Sequence, residues 1–194
     1  MYTPKTFAFN TLDGISQKQL DVHIKLYEGY VKFINVIDDQ QKELMKDSEK
    51  NAYALAEVTR RIGFEFNGMR MHEYYFEQFE GSAQTPQASS TLQDLAGKRY
   101  GNWEKFIDHI EEISGTRGIG WVVVYFDPKA NLLHTTFVGD HELGQLAGLP
   151  IILALDLWEH AYMIDYAPAE KSKYIDVFLS NMNWGVVEER LIKI

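Results

Sequence analysis

Two long stretches in the first half of the chain repeat apolar or aromatic residues at alternating steps of three and four. This spacing is typical of one face of an α-helix. In the first stretch the repeated positions are Leu20, His23, Tyr27, Tyr30, Ile34 and Ile37. In the second stretch they are Leu55, Val58, Ile62, Phe66, Met69, His72 and Phe76. Polar residues at 46–50 separate the two stretches, so the pattern predicts an antiparallel hairpin of two long helices.

The ends of the first helix can also be predicted. Ser16 and Gln19 have the spacing of a capping box, in which each side chain bonds a backbone N–H of the other residue. We expect the helix to run unbroken from about Ser16 to Met45, and the second helix to begin near Ala52.

The second half of the chain has a different pattern. A small, polar, proline-containing linker at 81–90 precedes a helix at about 103–113. Apolar runs then predict three strands, WVVVYF (121–126), LLHTTFV (132–138) and LPIILALD (149–156), and the stretches 160–166 and 173–193 are predicted to be helical. The expected fold class is α+β: an N-terminal helical hairpin domain at 1–82, then a C-terminal α/β domain at 91–194 with a small three-stranded antiparallel sheet.

Composition excludes several classes of protein. The chain of 194 residues has no cysteine, which excludes disulfides, zinc–thiolate sites and thiol nucleophiles. Its formal charge of -9 argues against a nucleic-acid partner, and an anionic substrate would have to be attracted by local positive charge. No apolar run is long enough to span a membrane, and the start lacks the pattern of a secretory signal. We therefore expect a cytoplasmic protein without a membrane partner.

The candidate functional residues lie on the two predicted helices and at the end of a predicted strand. His23 and His72 are on the inward stripes of two helices that should face each other, and His160 follows Asp156 at the end of a buried strand. A single histidine on such a stripe is more often a core residue than a metal ligand. The hypothesis of a metal site therefore depends on the occurrence of several such residues at positions that should face each other. Imidazoles with one carboxylate suit a redox-active first-row metal; zinc would also accept them, whereas calcium and magnesium prefer more oxygen ligands.

Several segments around these residues resemble the iron/manganese superoxide dismutases, in family order and over nearly the whole chain. The most specific is DLWEHAYMIDY, which is similar to the family signature D-x-W-E-H-A-Y. The other similar segments are QLDVH (19–23), MHEYYF (71–76), GIGWVVV (118–124) and NMNW (181–184).

The resemblance implies a superoxide dismutase, an antioxidant enzyme that converts superoxide to oxygen and hydrogen peroxide with one iron or manganese ion per subunit. The implied ligands are His23, His72, Asp156 and His160. The choice between iron and manganese stays open. The resemblance implies a homodimer, with a tetramer as the alternative, and Glu159 matches the family glutamate that reaches the partner's ligand histidine across a two-fold interface.

Further roles around the metal are implied by the same resemblance. Tyr30 matches the family's gateway tyrosine, and Trp121 and Trp158 match aromatic residues that wall the site. In the family, an outer glutamine or, in some members, a histidine forms a hydrogen bond with the metal-bound solvent. His141 lies fifteen residues before Asp156, as in the members that use histidine.

A glycine supports the same assignment. Gly68 leaves room at the position, four residues before His72, where other members have the glutamine. His109 and His134 match nothing functional, and a solvated helix face and a sheet position are sufficient explanations for them.

The chain departs from the family at several positions. Met163 replaces a tyrosine of the interface network, and Lys171 or Lys173 would have to supply the positive charge of a missing arginine. The gateway tyrosine lies seven residues after His23, whereas in the family it usually lies eight residues after the corresponding histidine. The intervening Tyr27 takes the place of a histidine, and we expect it to join Met163 in apolar packing at the interface.

Two other function classes compete with this interpretation. A binding or structural protein on the same fold would be expected to lack the metal ligands, and all of them are retained here. A mononuclear iron oxygenase usually has two histidines and one carboxylate with open positions, which disagrees with a set of three histidines.

Overall fold

The N-terminal half forms the predicted pair of long helices. The computed structural model describes residues 1–193. Helix α1 spans Gln17–Leu44, a single turn of 3-10 helix follows at Met45–Asp47, and helix α2 spans Ala52–Glu77. Every residue of α1 is α-helical, without a π-turn, so the prediction of an unbroken first helix is confirmed.

Contacts at the two ends of this hairpin show that the helices are antiparallel. The ring centroids of His23 and His72 lie 5.0 Å apart near the start of α1 and the end of α2. At the opposite end, the Gln41 side-chain amide donates to the Thr59 hydroxyl over 2.9 Å. The inward stripe of α1 is buried apart from Tyr30, which is partly exposed.

The N-terminus of α1 is capped differently from the prediction. The Ser16 hydroxyl accepts a hydrogen bond from the Gln19 backbone N–H, as an N-cap should. The reciprocal half of the capping box is absent, because the Ser16 N–H donates to Asp165 and the Gln19 side chain binds elsewhere. The capping-box assignment of the Gln19 side chain is therefore wrong.

The sheet agrees with the sequence prediction. Strands β1 (Gly120–Asp127), β2 (Leu132–Gly139) and β3 (Ile151–Asp156) pair in the order β2-β1-β3, and both pairings are antiparallel. The central strand β1 is buried from Gly120 to Tyr125, which explains its continuous apolar run. Its register places Trp121 directly opposite Asp156.

Within residues 1–193, four α-helices follow the hairpin, and the sequence predicted them incompletely. They are α3 (Thr91–Tyr100), α4 (Trp103–Ser114), α5 (Lys171–Asn181) and α6 (Trp184–Ile192). Helix α3 was not predicted, and the stretch 173–193 is two helices rather than one because the backbone becomes extended at Met182. The stretch predicted as helical at 160–166 contains only the end of a 3-10 turn at Glu159–Ala161, followed by further turns.

A buried glutamine attaches the sheet to the hairpin. The Gln78 side chain accepts a hydrogen bond from the Ala154 N–H and donates one to the Ala154 carbonyl, so it fixes the middle of β3 beside the end of α2. The Arg190 guanidinium on α6 donates to the neighbouring Ile152 carbonyl.

The division into domains at 1–82 and 91–194 stays a prediction. Within residues 1–193, no helix combines the length and apolar character needed to cross a membrane.

Candidate metal centre

Four residues that are distant in sequence meet between the hairpin and the sheet. His23 comes from α1, His72 from α2 and Asp156 from the last position of β3, and His160 lies in the turn that follows. One donor atom from each lies within 4.8 Å of all the others. The fold therefore brings together the residues that the sequence proposed as ligands.

One carboxylate oxygen lies at the centre of this cluster. Asp156 Oδ2 is 3.1 Å from Nε2 of His23, 3.2 Å from Nε2 of His160 and 3.5 Å from Nε2 of His72. The other oxygen, Oδ1, accepts a hydrogen bond from the Trp158 backbone N–H over 2.8 Å, which fixes the plane of the carboxylate. Three imidazole nitrogens and one carboxylate oxygen thus face a common point.

The protonation of His72 tests whether a metal fits this point. Its Nδ1 lies 2.6 Å from the Gly68 carbonyl oxygen, which needs a donor, so Nδ1 carries the proton and Nε2 has a free lone pair. Burial, with the neighbouring His23, moves the pKa of His72 well below its ordinary value. The buried Nε2 has no hydrogen-bond partner among residues 1–193. A buried lone pair directed at a carboxylate oxygen is unfavourable without a cation between them, and a metal ion removes this cost.

Charge in the cluster points the same way. Burial lowers the pKa of His23 and outweighs the opposing effect of Asp156, so this imidazole is neutral. Burial alone would raise the pKa of Asp156, but the adjacent His160 and His23 outweigh it and hold the pKa well below its usual range. Imidazoles with one ionised carboxylate are a donor set for a first-row transition metal, and the oxygen-rich sites of calcium and magnesium are different.

A second layer of hydrogen bonds is centred on His141. Its side chain is fully buried; Nδ1 accepts from the Trp121 indole N–H over 2.9 Å, and Nε2 lies 2.8 Å from the Tyr30 hydroxyl. An indole N–H can only donate, and burial lowers the pKa of His141 to about 4, so the neutral ring carries its proton on Nε2. This proton is donated to the Tyr30 oxygen, which leaves the Tyr30 hydroxyl proton free to bond another group.

The role expected for Gly68 needs correction. A Cβ atom at this position would lie 2.6 Å from Cδ1 of Tyr30, because the tyrosine ring packs directly against the glycine. The space is therefore filled by Tyr30 of the same chain and is not left open. The ring of Tyr30 also lies 5.1 Å from the ring of His72.

Aromatic rings wall the region between His141 and the surface. Trp158 stacks on His141 at 4.9 Å and lies 5.6 Å from His160. Phe64 lies 4.6 Å from His141 and 6.1 Å from Tyr30, and sequence reasoning missed it. Its position eight residues before His72, slightly more than two helical turns, was the available signal.

Gln19 is a second residue whose place at the site was missed. Its side chain donates to the His160 carbonyl over 2.6 Å and accepts from the Ile164 N–H over 3.0 Å. It therefore ties the turn that carries His160 to the first helix. The capping-box spacing hid this role, since a contact with residues so distant in sequence has no local signature.

Tyr27 makes polar contacts inside its own chain. Its hydroxyl donates to Glu73 and accepts from the Lys5 backbone N–H, and the apolar packing expected with Met163 at an interface stays a prediction. The side chain of Glu159 is exposed, and that of His160 is 18% exposed.

The positive charge near the site comes from an unexpected residue. Lys173 pairs with Glu170, and Lys171 donates to the Thr116 carbonyl, so neither lysine contacts the cluster or its aromatic wall. The Arg61 guanidinium instead lies 3.7 Å from the centroid of the Phe64 ring.

The histidines expected to have no role lie outside the cluster. His109 packs against Tyr100, and His134 sits in β2 near Asp127.

Comparison with known proteins identifies the family. Residues 88–190 match the family model described as the C-terminal domain of iron/manganese superoxide dismutases. A "Superoxide dismutase [Fe]" of Sulfolobus acidocaldarius is 31% identical over 92% of this chain and 86% of that protein. The chain belongs to the iron/manganese superoxide dismutase family. Another relative within the family, the "Superoxide dismutase [Mn/Fe]" of Aeropyrum pernix, is 31% identical over 97% of this chain and 88% of its own length.

The names of the relatives do not agree on one metal. A "Superoxide dismutase [Fe]" of Saccharolobus solfataricus is 30% identical over 98% of this chain and 92% of its own length. A "Superoxide dismutase [Mn] 1" of Halobacterium salinarum is 28% identical over 96% of this chain and 92% of its own length. Membership of the family therefore leaves both iron and manganese as candidates.

Proposed function

We propose that the protein is a superoxide dismutase that converts superoxide to oxygen and hydrogen peroxide with a mononuclear iron or manganese ion. The observation that carries this proposal is the buried Nε2 of His72, which has no hydrogen-bond partner within residues 1–193 and faces Asp156 in a chain of this family. A structural protein that binds no metal would not need four converging ligands of this kind.

The metal would be held by His23, His72, Asp156 and His160, one ion in each subunit. When bound, the ion supplies the one-electron redox couple that dismutation requires. The surrounding chain keeps the ligands in place. The Gly68 carbonyl holds His72 through Nδ1, and the Trp158 N–H holds the second oxygen of Asp156.

Tyr30 and His141 would control protons at the site, because the formation of hydrogen peroxide consumes them. Burial raises the pKa of Tyr30, so the phenol stays protonated at neutral pH. His141 donates to the phenol oxygen and would thereby leave the phenol proton available for the substrate or a water molecule. Trp121 keeps His141 in the tautomer that makes this possible.

The second subunit of a homodimer would complete the surroundings of the ion. Glu159 is exposed beside His160, and we propose that it accepts a hydrogen bond from the equivalent histidine of the second subunit. Glu159→Ala should then weaken the dimer and lower activity together. Sedimentation of the wild type as a fully active monomer would contradict this assignment. The cytoplasmic location stays a prediction.

The function can be tested with the purified protein and one ligand variant. The wild type should contain iron or manganese by elemental analysis and should accelerate superoxide decay in a stopped-flow assay. His72→Ala should lose both properties, whereas His134→Ala, a change in β2, should keep them. A His72→Ala protein with full metal content and activity would show that the ligand assignment is wrong.

A further inference from the structure

The backbone of His141 is held as firmly as its side chain. Its carbonyl oxygen accepts hydrogen bonds from two side-chain amides, Asn67 over 2.8 Å and Gln145 over 3.2 Å. Asn67 lies on α2, whereas Gln145 lies in the same loop as His141. The carbonyl therefore joins the loop to the helix that carries His72.

Gln145 is itself fixed by buried groups. The hydroxyl of Tyr125 donates to its Oε1, which turns the amide group toward the His141 carbonyl and the sulfur of Met71. Only this orientation gives the His141 carbonyl oxygen its second donor and the Gln145 amide oxygen a proton. Tyr125 is 1% exposed, so its hydroxyl has no access to an alternative partner in bulk water.

The spacing of these contacts links them to the site. Trp121 and Tyr125 lie four residues apart on β1, so their side chains project from the same face of the strand. His141 and Gln145 are also four residues apart, and each is bonded by one of these two aromatic residues. Strand β1 thus holds the loop at two points with matched spacing.

We propose that Tyr125 and Gln145 are positioning residues that fix the His141 backbone and thereby set the contact of His141 with Trp121 and Tyr30. This role rests on the proposed function of His141 at the metal centre. Neither residue lies among the predicted ligands or the outer shell, and each acts through another residue. Loss of either contact would let the loop shift. The hydrogen bonds of the His141 imidazole with Trp121 and Tyr30 would then lengthen.

Two variants remove the contacts with little change in volume. Gln145→Met removes the amide, and Tyr125→Phe removes the hydroxyl that orients it. Tyr100→Phe is the matched control, since it removes a tyrosine hydroxyl that forms a hydrogen bond with Thr135 on the edge strand β2. Trp121→Phe identifies the indole N–H resonance of Trp121 among the tryptophan signals.

The first measurement is independent of activity. In the full chain loaded with zinc, which is diamagnetic, the Trp121 indole N–H resonance should shift in Gln145→Met and Tyr125→Phe and stay unchanged in Tyr100→Phe. The second measurement uses the iron- or manganese-loaded protein. There kcat should fall about 10-fold with unchanged metal content, at the low end of outer-shell effects, and the reduction potential should move.

These readouts separate positioning from plain stability. If both variants lower the melting temperature but leave the Trp121 resonance, the potential and kcat at wild-type values, the proposal is overturned. If the wild-type protein has no dismutase activity, the proposed function fails, and the indole resonance still shows whether Tyr125 and Gln145 position His141.

Discussion

At the scale of single residues, His141 separates metal binding from turnover. It is not among the clustered donor atoms, and it contacts Trp121 and Tyr30 instead. His141→Ala should therefore retain the metal while kcat falls by about 10- to 100-fold, because a hydrogen bond is lost and no ligand is. Elemental analysis and superoxide decay measure the two effects, with His134→Ala as control. Loss of metal together with activity would place His141 among the ligands.

Gly68 gives a second prediction at this scale. A methyl group there would overlap the ring of Tyr30, so Gly68→Ala should destabilise the protein by about 1–3 kcal/mol and lower kcat by displacing the ring. Gly97 is the control, because it lies within α3 and, apart from its chain neighbours and the backbone of its own helix, no atom of residues 1–193 lies within 4 Å of its Cβ position. Gly97→Ala should stabilise the protein by about 0.4–1 kcal/mol. Urea unfolding of both variants measures the difference, and equal effects would contradict the close packing of Tyr30.

At the scale of secondary-structure elements, helix α1 contacts the turn that carries His160. Gln19 makes two hydrogen bonds to this turn from a buried position. Gln19→Ala should lower the free energy of unfolding by about 1–3 kcal/mol and weaken metal binding, because buried groups lose their partners and His160 loses its support. Gln17→Ala, an exposed change in the same helical turn, should do neither. Calorimetry and competition with a chelator provide the measurements; equal metal affinity in both variants would argue against this support.

The elements also show what the sequence could and could not predict. The stripes of α1 and α2 and the apolar run of β1 are local periodic patterns, so the hairpin and the sheet could be predicted from them. Helix α3 was missed because it follows the polar linker directly and buries only Leu92, Leu95 and Ala96. The turns after Asp156 were predicted as helix, although Trp158 has an extended backbone before the 3-10 turn.

The site was predictable to the extent that its residues carry a signature. The ligands were found through the inward histidines and the resemblance of the segment 156–166 to a family. Phe64 had only its helical spacing from His72 as a signal. Gln145 had none, because its role depends on contacts with β1 and with the His141 backbone. The space beside Gly68 was misjudged for the same reason, since the ring that fills it comes from another helix.

At the scale of the whole molecule, charge sets a requirement for the substrate. The chain has a formal charge of -9, and superoxide is an anion. Arg61 lies against Phe64 in the wall of the site and is 47% exposed, although Glu65 pairs with it. Arg61→Gln should lower kcat/KM about threefold at low ionic strength, and the difference should shrink as salt is added.

Arg60 is the matched control for this charge. It is the preceding residue on α2 and pairs with the exposed Glu57. Arg60→Gln changes the net charge equally, so a general effect of charge would lower kcat/KM in both variants. A loss confined to Arg61→Gln would show that its position matters, and equal losses would remove Arg61 from the path of the substrate.

The convergence of ligands from separate elements has a consequence for folding. His23 and Asp156 are 133 residues apart in sequence, so an ion bound by both would close a loop that includes most of the chain. Since the unfolded chain does not hold this set of donors together, binding would favour the folded state, by about 2.7 kcal/mol when free metal is at 100 times its Kd. In a chain without cysteine, the ion would take the part that a disulfide plays in other proteins, and metal starvation would become a cause of unfolding.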